Sequence, residues 1–173
     1  MVKALLTIYP GSSKVRTGDL FSLISKMKEL NSKAIGVITE EEIKLWFFKQ
    51  GLTVSVPIGD NARYDFIVDF NNKLVRFQSK TSNLTRTENC LNFACASIKY
   101  NSQGSNRTKY SKDEIDYFIT LHPETRQIYI VPVEECGNEC NLRFVPPKSN
   151  NYNGVKMAKD YEGDKIVERI FNS

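Results

Sequence analysis

The chain has 173 residues, 40% hydrophobic and 25% charged, with a formal net charge of +4. That composition supports one hydrophobic core and excludes a disordered or fibrous chain. The mild basic excess permits a nucleic-acid partner without requiring one. No run of eighteen apolar residues occurs, so no membrane helix is expected, and Pro10 interrupts the short apolar stretch 4–9 too early for a signal peptide. Four cysteines accompany a single histidine. Cys136 and Cys140 form a C-x3-C pair among polar residues, while Cys90 and Cys95 read as buried thiols. Without a C-x2-C knuckle, reduced thiols are expected rather than structural zinc.

In chain order, residues 2–9 read as a strand and 10–13 as a turn. Thr17 caps a predicted helix to about residue 30, with Leu20, Leu23, Ile24 and Met27 on one stripe. Lys14, Arg16, Lys26, Lys28 and Lys33 make this part basic, as an extra packed element or a DNA-contacting arm. A second helix is predicted from about residue 33 to 50, with Ser32 as N-cap and Gly51 as its stop. It carries Glu40, Glu41 and Glu42. Each shares a stripe with apolar residues, so periodicity does not choose among them, and all three sit favourably near a helix start. Residues 52–57 read as a strand, and Gly59, Asp60 and Asn61 as a turn.

Residues 65–80 read as a β-hairpin. Tyr64, Phe66, Val68 and Phe70 alternate with Asp65, Ile67 and Asp69, the period of a strand with one apolar face. Asn71 and Asn72 supply the positive φ values of a two-residue turn. With those two as the loop, Phe70 faces Lys73 and, counting back, Asp65 faces Gln78. Opposed residues share a face of the sheet, and Lys80 points to that face too. An acid, an amide and a lysine thus converge from adjacent strands. Such a set suits metal-assisted phosphodiester hydrolysis: oxygen ligands hold Mg²⁺, and the lysine orients water or stabilises negative charge. The other reading is a surface hairpin with a solvated polar face.

Beyond residue 80 the chain is polar to 86, then a helix is expected from Thr87 and Glu88 through Leu91, Phe93, Ala94 and Ile98. Residues 100–112 read as a loop or distorted strand. Lys99, Arg107, Lys109 and Lys112 in or beside it suit phosphate contacts. Strands are predicted at 115–121 and 127–133. His122, at the turn before Pro123, reads as structural rather than as a general base. A strand at 142–144 and short helices at 155–160 and 165–171 complete the chain.

The pair Tyr64-Asp65 with Gln78-Ser79-Lys80 resembles the PD-(D/E)xK nuclease superfamily, which carries an acid on one core strand and (D/E)-x-K on the next. It is most similar to the branch containing group I intron-encoded homing endonucleases, where Q-x-K replaces (D/E)-x-K. Tyr64 stands where the superfamily usually has proline. Gly36 and Glu40 match the glycine and glutamate of that branch's preceding helix, and Phe48, Gly51, Val54 and Pro57 match the pattern after it in altered form. The segments 116–119 and 128–132 resemble its closing strand pair, and Leu142-Arg143 with Pro146-Pro147-Lys148 its C-terminal part. The resemblance spans about 33–161.

It implies an α/β, restriction-endonuclease-like core: a central mixed β-sheet flanked by helices, one before the hairpin and one after it. The whole chain, 1–173, is then one nuclease domain, with an N-terminal extension (1–32), the core (33–161) and a C-terminal helix and tail (162–173). The implied activity is that of a Mg²⁺-dependent, site-specific DNA endonuclease of homing type, leaving 5′-phosphates, with Mn²⁺ able to substitute. Asp65 would be the principal metal ligand, joined by Gln78, the Ser79 carbonyl and Glu40, with Lys80 positioning the water. Arg76, Ser82, Arg86, Lys99, Arg107 and Lys109 are the candidate DNA contacts. Double-stranded DNA is the expected partner, cut by a homodimer or homotetramer, in the cytoplasm at the nucleoid. A Holliday-junction resolvase of the same fold and a DNA-binding protein without turnover are the alternatives.

Overall fold

Two asparagines turn the chain at the centre of the fold. Asn71 and Asn72 have φ of 54° and 75°, the doubly positive turn whose twist matches paired strands. In the computed structural model, which describes residues 31–173 except Asp60, Arg86, Glu88, Ser102, Gln103 and Lys148, this turn joins β2 (Phe66–Phe70) to β3 (Lys73–Thr81). Phe70 pairs with Lys73 and Phe66 with Phe77, the register expected from the sequence. The expected strand at 2–9, the helix ending near 30, and Asp60 of the predicted turn lie outside the described residues.

The chain divides into two units, Met1–Ile35 and Gly36–Ser173. Of the first, the described residues open helix α1 (Ser32–Lys49). The Ala34 N–H donates to Asn31 Oδ1 at 2.9 Å, so Asn31 supplies the cap expected of Ser32. Gly51 ends the helix with φ +79°, and its N–H donates to the Phe48 carbonyl at 3.0 Å. A residue with a side chain would be strained there.

In the second unit, β1 (Thr53–Ser55), β2, β3, β8 (Tyr117–Leu121) and β9 (Ile128–Pro132) form a five-stranded mixed sheet in the order β1-β2-β3-β8-β9. Only the β3–β8 pair is parallel. One face is covered by helices. Ile43 and Phe47 of α1 and Ile166, Val167 and Ile170 of α2 (Gly163–Phe171) pack on Phe66, Val68, Phe70, Val75 and Phe77. Gly163 admits the close approach: a Cβ there would lie 2.9 Å from Ile128 Cγ2 and 3.0 Å from the Trp46 ring. The other face packs on a second sheet, ordered β11-β10-β5-β4, made from β4 (Asn83–Leu84), β5 (Cys90–Ala94), β10 (Glu139–Arg143) and β11 (Lys156–Met157). Leu91, Phe93 and Leu142 from this sheet meet Phe118, Tyr129 and Val131. A hairpin, β6 (Ala96–Asn101) with β7 (Gly104–Lys109), stands apart as its own two-stranded ribbon.

Two expectations are corrected. The helix predicted after the hairpin, through Leu91, Phe93, Ala94 and Ile98, is instead β5 and β6. Leu91, Phe93 and Cys95 are buried while Asn92 and Ala94 are not, the two-residue period of a strand covered on one face. The mixed sheet is therefore flanked by helices on one face and by strands on the other. The short helix expected over 155–160 is β11 followed by a 3-10 turn, Ala158–Asp160. The polar stretch after residue 100 forms β7, paired with β6 from Ala96↔Lys109 to Asn101↔Gly104.

All four cysteines are free thiols. Cys95 and Cys140 are buried and lie in one cluster with half-buried Cys136. Cys90, expected to be buried like Cys95, is half-buried, an odd number of residues away and so on the other side of the extended chain.

Candidate active site

The site is built at one end of the five-stranded sheet, from the two strands of the central hairpin. Asp65 immediately precedes β2, and its N–H donates to the Phe77 carbonyl at 2.9 Å, which continues the ladder and brings it opposite Gln78. Asp65 Oδ2 accepts from Gln78 Nε2 at 2.5 Å and from the Ser79 backbone N–H at 2.7 Å. Gln78 is buried, and its Nε2 also lies 3.4 Å from the Ser79 carbonyl oxygen. The amide nitrogen therefore sits between two oxygens, where an oxygen-seeking cation would also be satisfied. Burial raises the Asp65 pKa above the usual carboxylate value, opposed by the Ser79 N–H and reinforced by the negative charge of Glu40. A carboxylate held this way gains from a cation.

Helix α1 separates the three glutamates that periodicity left unresolved. Glu42 bonds Arg126 through two guanidinium nitrogens. Glu41 is exposed and holds Lys44 at 2.7 Å. Glu40 lines a cleft of about 320 Å³ together with Asp65, Tyr64, Lys44, Val56, Pro57, Gly59 and Ala62. Lys44 also bonds Glu40, at 3.1 Å. Burial lowers the Lys44 pKa, but its bonds to Glu41 and Glu40 outweigh that and raise it. Of the three, Glu40 is the one that shares space with Asp65.

Lys80 lies two residues beyond Gln78 on β3, paired with Thr120 of β8. Thr120 Oγ1 donates to the Lys80 carbonyl at 2.6 Å and anchors the backbone there. The ammonium bonds the Tyr110 hydroxyl at 3.4 Å, and its charge also favours ionised Asp65. Tyr110 and Arg63 were not singled out from the sequence. Each stands close to a motif residue in space or in chain, but neither belongs to a recognisable spacing.

The donors around Asp65 are hard oxygens: two carboxylates, a carboxamide and a backbone carbonyl. Such a set fits Mg²⁺ or Mn²⁺ better than a soft metal. Among the described residues, no group of three His, Cys, Asp or Glu side chains is placed to bind a metal. A site of two carboxylates completed by neutral oxygens is consistent with that.

The candidate DNA contacts divide. Ser82 is buried, and its hydroxyl donates to the Leu121 carbonyl at 2.6 Å. Arg76 is held by Asp116, with Nη2 at 2.9 Å from Oδ1 and Nε at 3.1 Å from Oδ2, and by the carbonyls of Lys112 and Asp113. Both side chains thus have structural partners. Arg107 and Lys109 are exposed on β7. Lys99 pairs with Asn106 in the same ribbon, and Arg86 lies outside the described residues. His122 accepts from the N–H groups of Glu124 and Thr125 at 3.2 and 3.1 Å through Nδ1, a turn-stabilising role. No described helix is long and apolar enough to cross a membrane.

Three comparisons bear on this geometry. The family described as PD-(D/E)XK endonuclease matches residues 30–164. A 5-methyltetrahydropteroyltriglutamate–homocysteine methyltransferase of Halalkalibacterium halodurans is 31% identical over 159 residues, covering 86% of this chain and 19% of that protein. The chain thus spans about a fifth of the length of that curated relative. A solved structure of a bacterial homing endonuclease, I-Ssp6803I, superposes with a TM-score of 0.68 at 22% identity, covering 83% of this chain and 95% of that one. At that identity the likeness is one of fold.

Proposed function

We propose that this chain, which belongs to the PD-(D/E)XK endonuclease family, is a divalent-metal-dependent endonuclease that hydrolyses DNA phosphodiester bonds. The observation that carries this reading is the bonding of Asp65 Oδ2 to both Gln78 and Ser79, with Lys80 next on the same strand. Asp65, the Ser79 carbonyl and, once its amide turns to exchange nitrogen for oxygen, the Gln78 side chain would hold the cation, with Glu40 binding it or its waters across the cleft. Mg²⁺, or Mn²⁺ in its place, would neutralise charge on the phosphate and acidify a water. Lys80 orients the attacking water and stabilises charge on the phosphoryl oxygens. Attack is in line: the water oxygen bonds to phosphorus, the bond to the 3′ oxygen breaks, and the products are a 5′-phosphate and a 3′-hydroxyl.

Arg107 and Lys109, which share one face of the β6–β7 ribbon, would bring it to the DNA backbone. One site cuts one strand, so a double-strand break requires two copies, as a homodimer or homotetramer on a pseudo-palindromic target. A homing role, acting on DNA inside the cell, is the finer part of this proposal, and the fold likeness to a homing endonuclease supports it. The test is cleavage of a supercoiled plasmid library with Mg²⁺, Mn²⁺ or EDTA, for the wild type and Lys80→Ala. Discrete metal-dependent linear products that vanish in the variant are expected. Metal-dependent cutting that survives Lys80→Ala unchanged would move the active site elsewhere.

A further inference from the structure

We infer that Tyr110 and Arg63 form a clamp that positions Lys80 and fixes the basic β6–β7 ribbon to the strand end bearing Asp65. The inference rests on the nuclease reading for the role of Lys80, but the clamp itself is a matter of geometry.

Arg63 stands two residues before Asp65. Its guanidinium donates in three directions: Nε to Glu114 Oε1 at 2.9 Å, Nη1 to Ser97 Oγ at 2.9 Å, and Nη2 to the Lys109 carbonyl at 3.1 Å. Ser97 belongs to β6 and Lys109 ends β7, so a single side chain grips both strands at the base of the ribbon. Glu114 is itself fixed, its other oxygen accepting the Ser111 N–H at 3.0 Å. The planar fork of arginine suits this task, and a lysine has no equivalent geometry.

The flat face of the same guanidinium lies 4.0 Å from the centre of the Tyr110 ring. Tyr110 is the residue immediately after β7. Its ring meets Phe118 edge to face, at 5.4 Å and 88°, so a cation holds its face and an aromatic edge holds its side. The hydroxyl is thereby directed at Lys80, whose Nζ lies 3.4 Å from it and 5.0 Å from the ring centre. A lysine side chain has four rotatable bonds and finds many positions unless its ammonium has a partner. Among the described residues, Tyr110 is the side chain to which Lys80 donates. The ribbon that presents Arg107 and Lys109 is thus continuous with the residue that aims Lys80. DNA pressed onto the ribbon would load the clamp, which ties substrate binding to placement of the ammonium.

Tyr110 is a positioning residue in this account, because it acts through Lys80. The experiment uses the full chain as wild type, Tyr110→Phe and Arg63→Gln. Single-turnover cleavage is measured with Mg²⁺, DNA affinity with Ca²⁺ in its place, and Lys80 accessibility by competitive labelling with an amine reagent read by mass spectrometry. Tyr110→Phe keeps the ring and its stacking and removes only the hydroxyl. Its cleavage rate should fall about ten- to a hundredfold, the effect of a small misplacement of a reacting group, with DNA affinity unchanged and Lys80 labelled faster. Arg63→Gln should lower both rate and affinity, because it frees the ribbon as well. A Tyr110→Phe protein with wild-type rate and wild-type Lys80 labelling would overturn the inference. If the wild type cleaves no DNA while Tyr110→Phe still speeds Lys80 labelling, the nuclease reading fails and the clamp stands.

Discussion

The two faces of the five-stranded sheet use one strand for opposite ends. On β3, Val75 and Phe77 point to the helices and are buried in a wholly apolar cluster with Phe47, Phe66 and Phe70. Gln78 and Lys80, alternating with them, point to the face covered by the second sheet. There the packing is apolar around Phe93, Phe118 and Val131, and the polar side chains gather at the sheet end beside Asp65. The helix face supplies stability, and Glu40 of α1, in the cleft with Asp65, is its one contribution to the proposed site. The opposite face accepts a buried carboxylate whose charged form burial disfavours, the cost that the proposed cation would offset. Alternation along a strand allows both, because a substitution on one face leaves the other side chains in place.

That contrast is broken most sharply by substitutions whose effects fall on one side alone. Asp65→Ala and Lys80→Ala should each lower single-turnover cleavage by about a thousandfold or more, the order expected when a group acting on the transition state is lost. Thermal unfolding of both should stay close to the wild type. A large fall in melting temperature for Lys80→Ala would show that this face also holds the fold together. Phe77→Ala is the converse. It empties a fully buried aromatic position that meets Phe47, Phe66, Phe70 and Tyr117 and should cost about 3–5 kcal/mol in denaturant unfolding. Protein that remains folded should still bind metal at Asp65, measured by titration calorimetry.

A smaller effect tests the helix side again. At Gly163 an added methyl meets Ile128 and Trp46 at about van der Waals overlap. Gly163→Ala should cost about 1–3 kcal/mol as an overpacked contact, partly offset by the better helix propensity of alanine. Chemical denaturation reads the difference. An unchanged midpoint would mean that Trp46 moves aside freely.

The same alternation explains what the sequence made legible. In the central hairpin, an Asn-Asn turn and a period of two leave one register that buries the phenylalanines, so Asp65, Gln78 and Lys80 follow from counting. In β5 and β6, the run Leu91, Phe93, Cys95 also alternates, but Thr87-Glu88 before it mimics a helix start, and the partner that stabilises β5 is β10, almost fifty residues away in the chain. Local signals cannot weigh such a pairing. Glu40 could not be separated from Glu41 and Glu42 by periodicity because its distinction is what its neighbours bond: Arg126 takes Glu42, and the cleft takes Glu40. Arg63 and Tyr110 meet only through the ribbon, 47 positions apart in the chain, and no spacing advertises them.

The smallest effect concerns the charge at Asp65 itself. Its pKa lies above the ordinary aspartate value of 3.8, with burial as the leading cause. Between that value and the raised one, the folded protein holds a proton that the unfolded chain has released. Stability therefore falls as pH rises through this window, and at neutral pH the penalty is fully present. Asp65→Asn keeps the shape and an oxygen for the Ser79 N–H but removes the charge. Without metal it should be more stable than the wild type at neutral pH, by about 1 kcal/mol or less given partial exposure and solvent screening. The difference should shrink as pH falls through that window and be gone below about 4. Mg²⁺ should raise the midpoint of the wild type and not of the variant, because binding to the folded state adds stability by mass action. Cleavage should fail on the acid side, since a protonated Asp65 cannot hold the cation. Urea denaturation at several pH values, with and without Mg²⁺, separates these contributions. A variant less stable than the wild type at neutral pH would mean that the carboxylate's bonds to Gln78 and Ser79 outweigh its burial, and that the site on this face stabilises the fold after all.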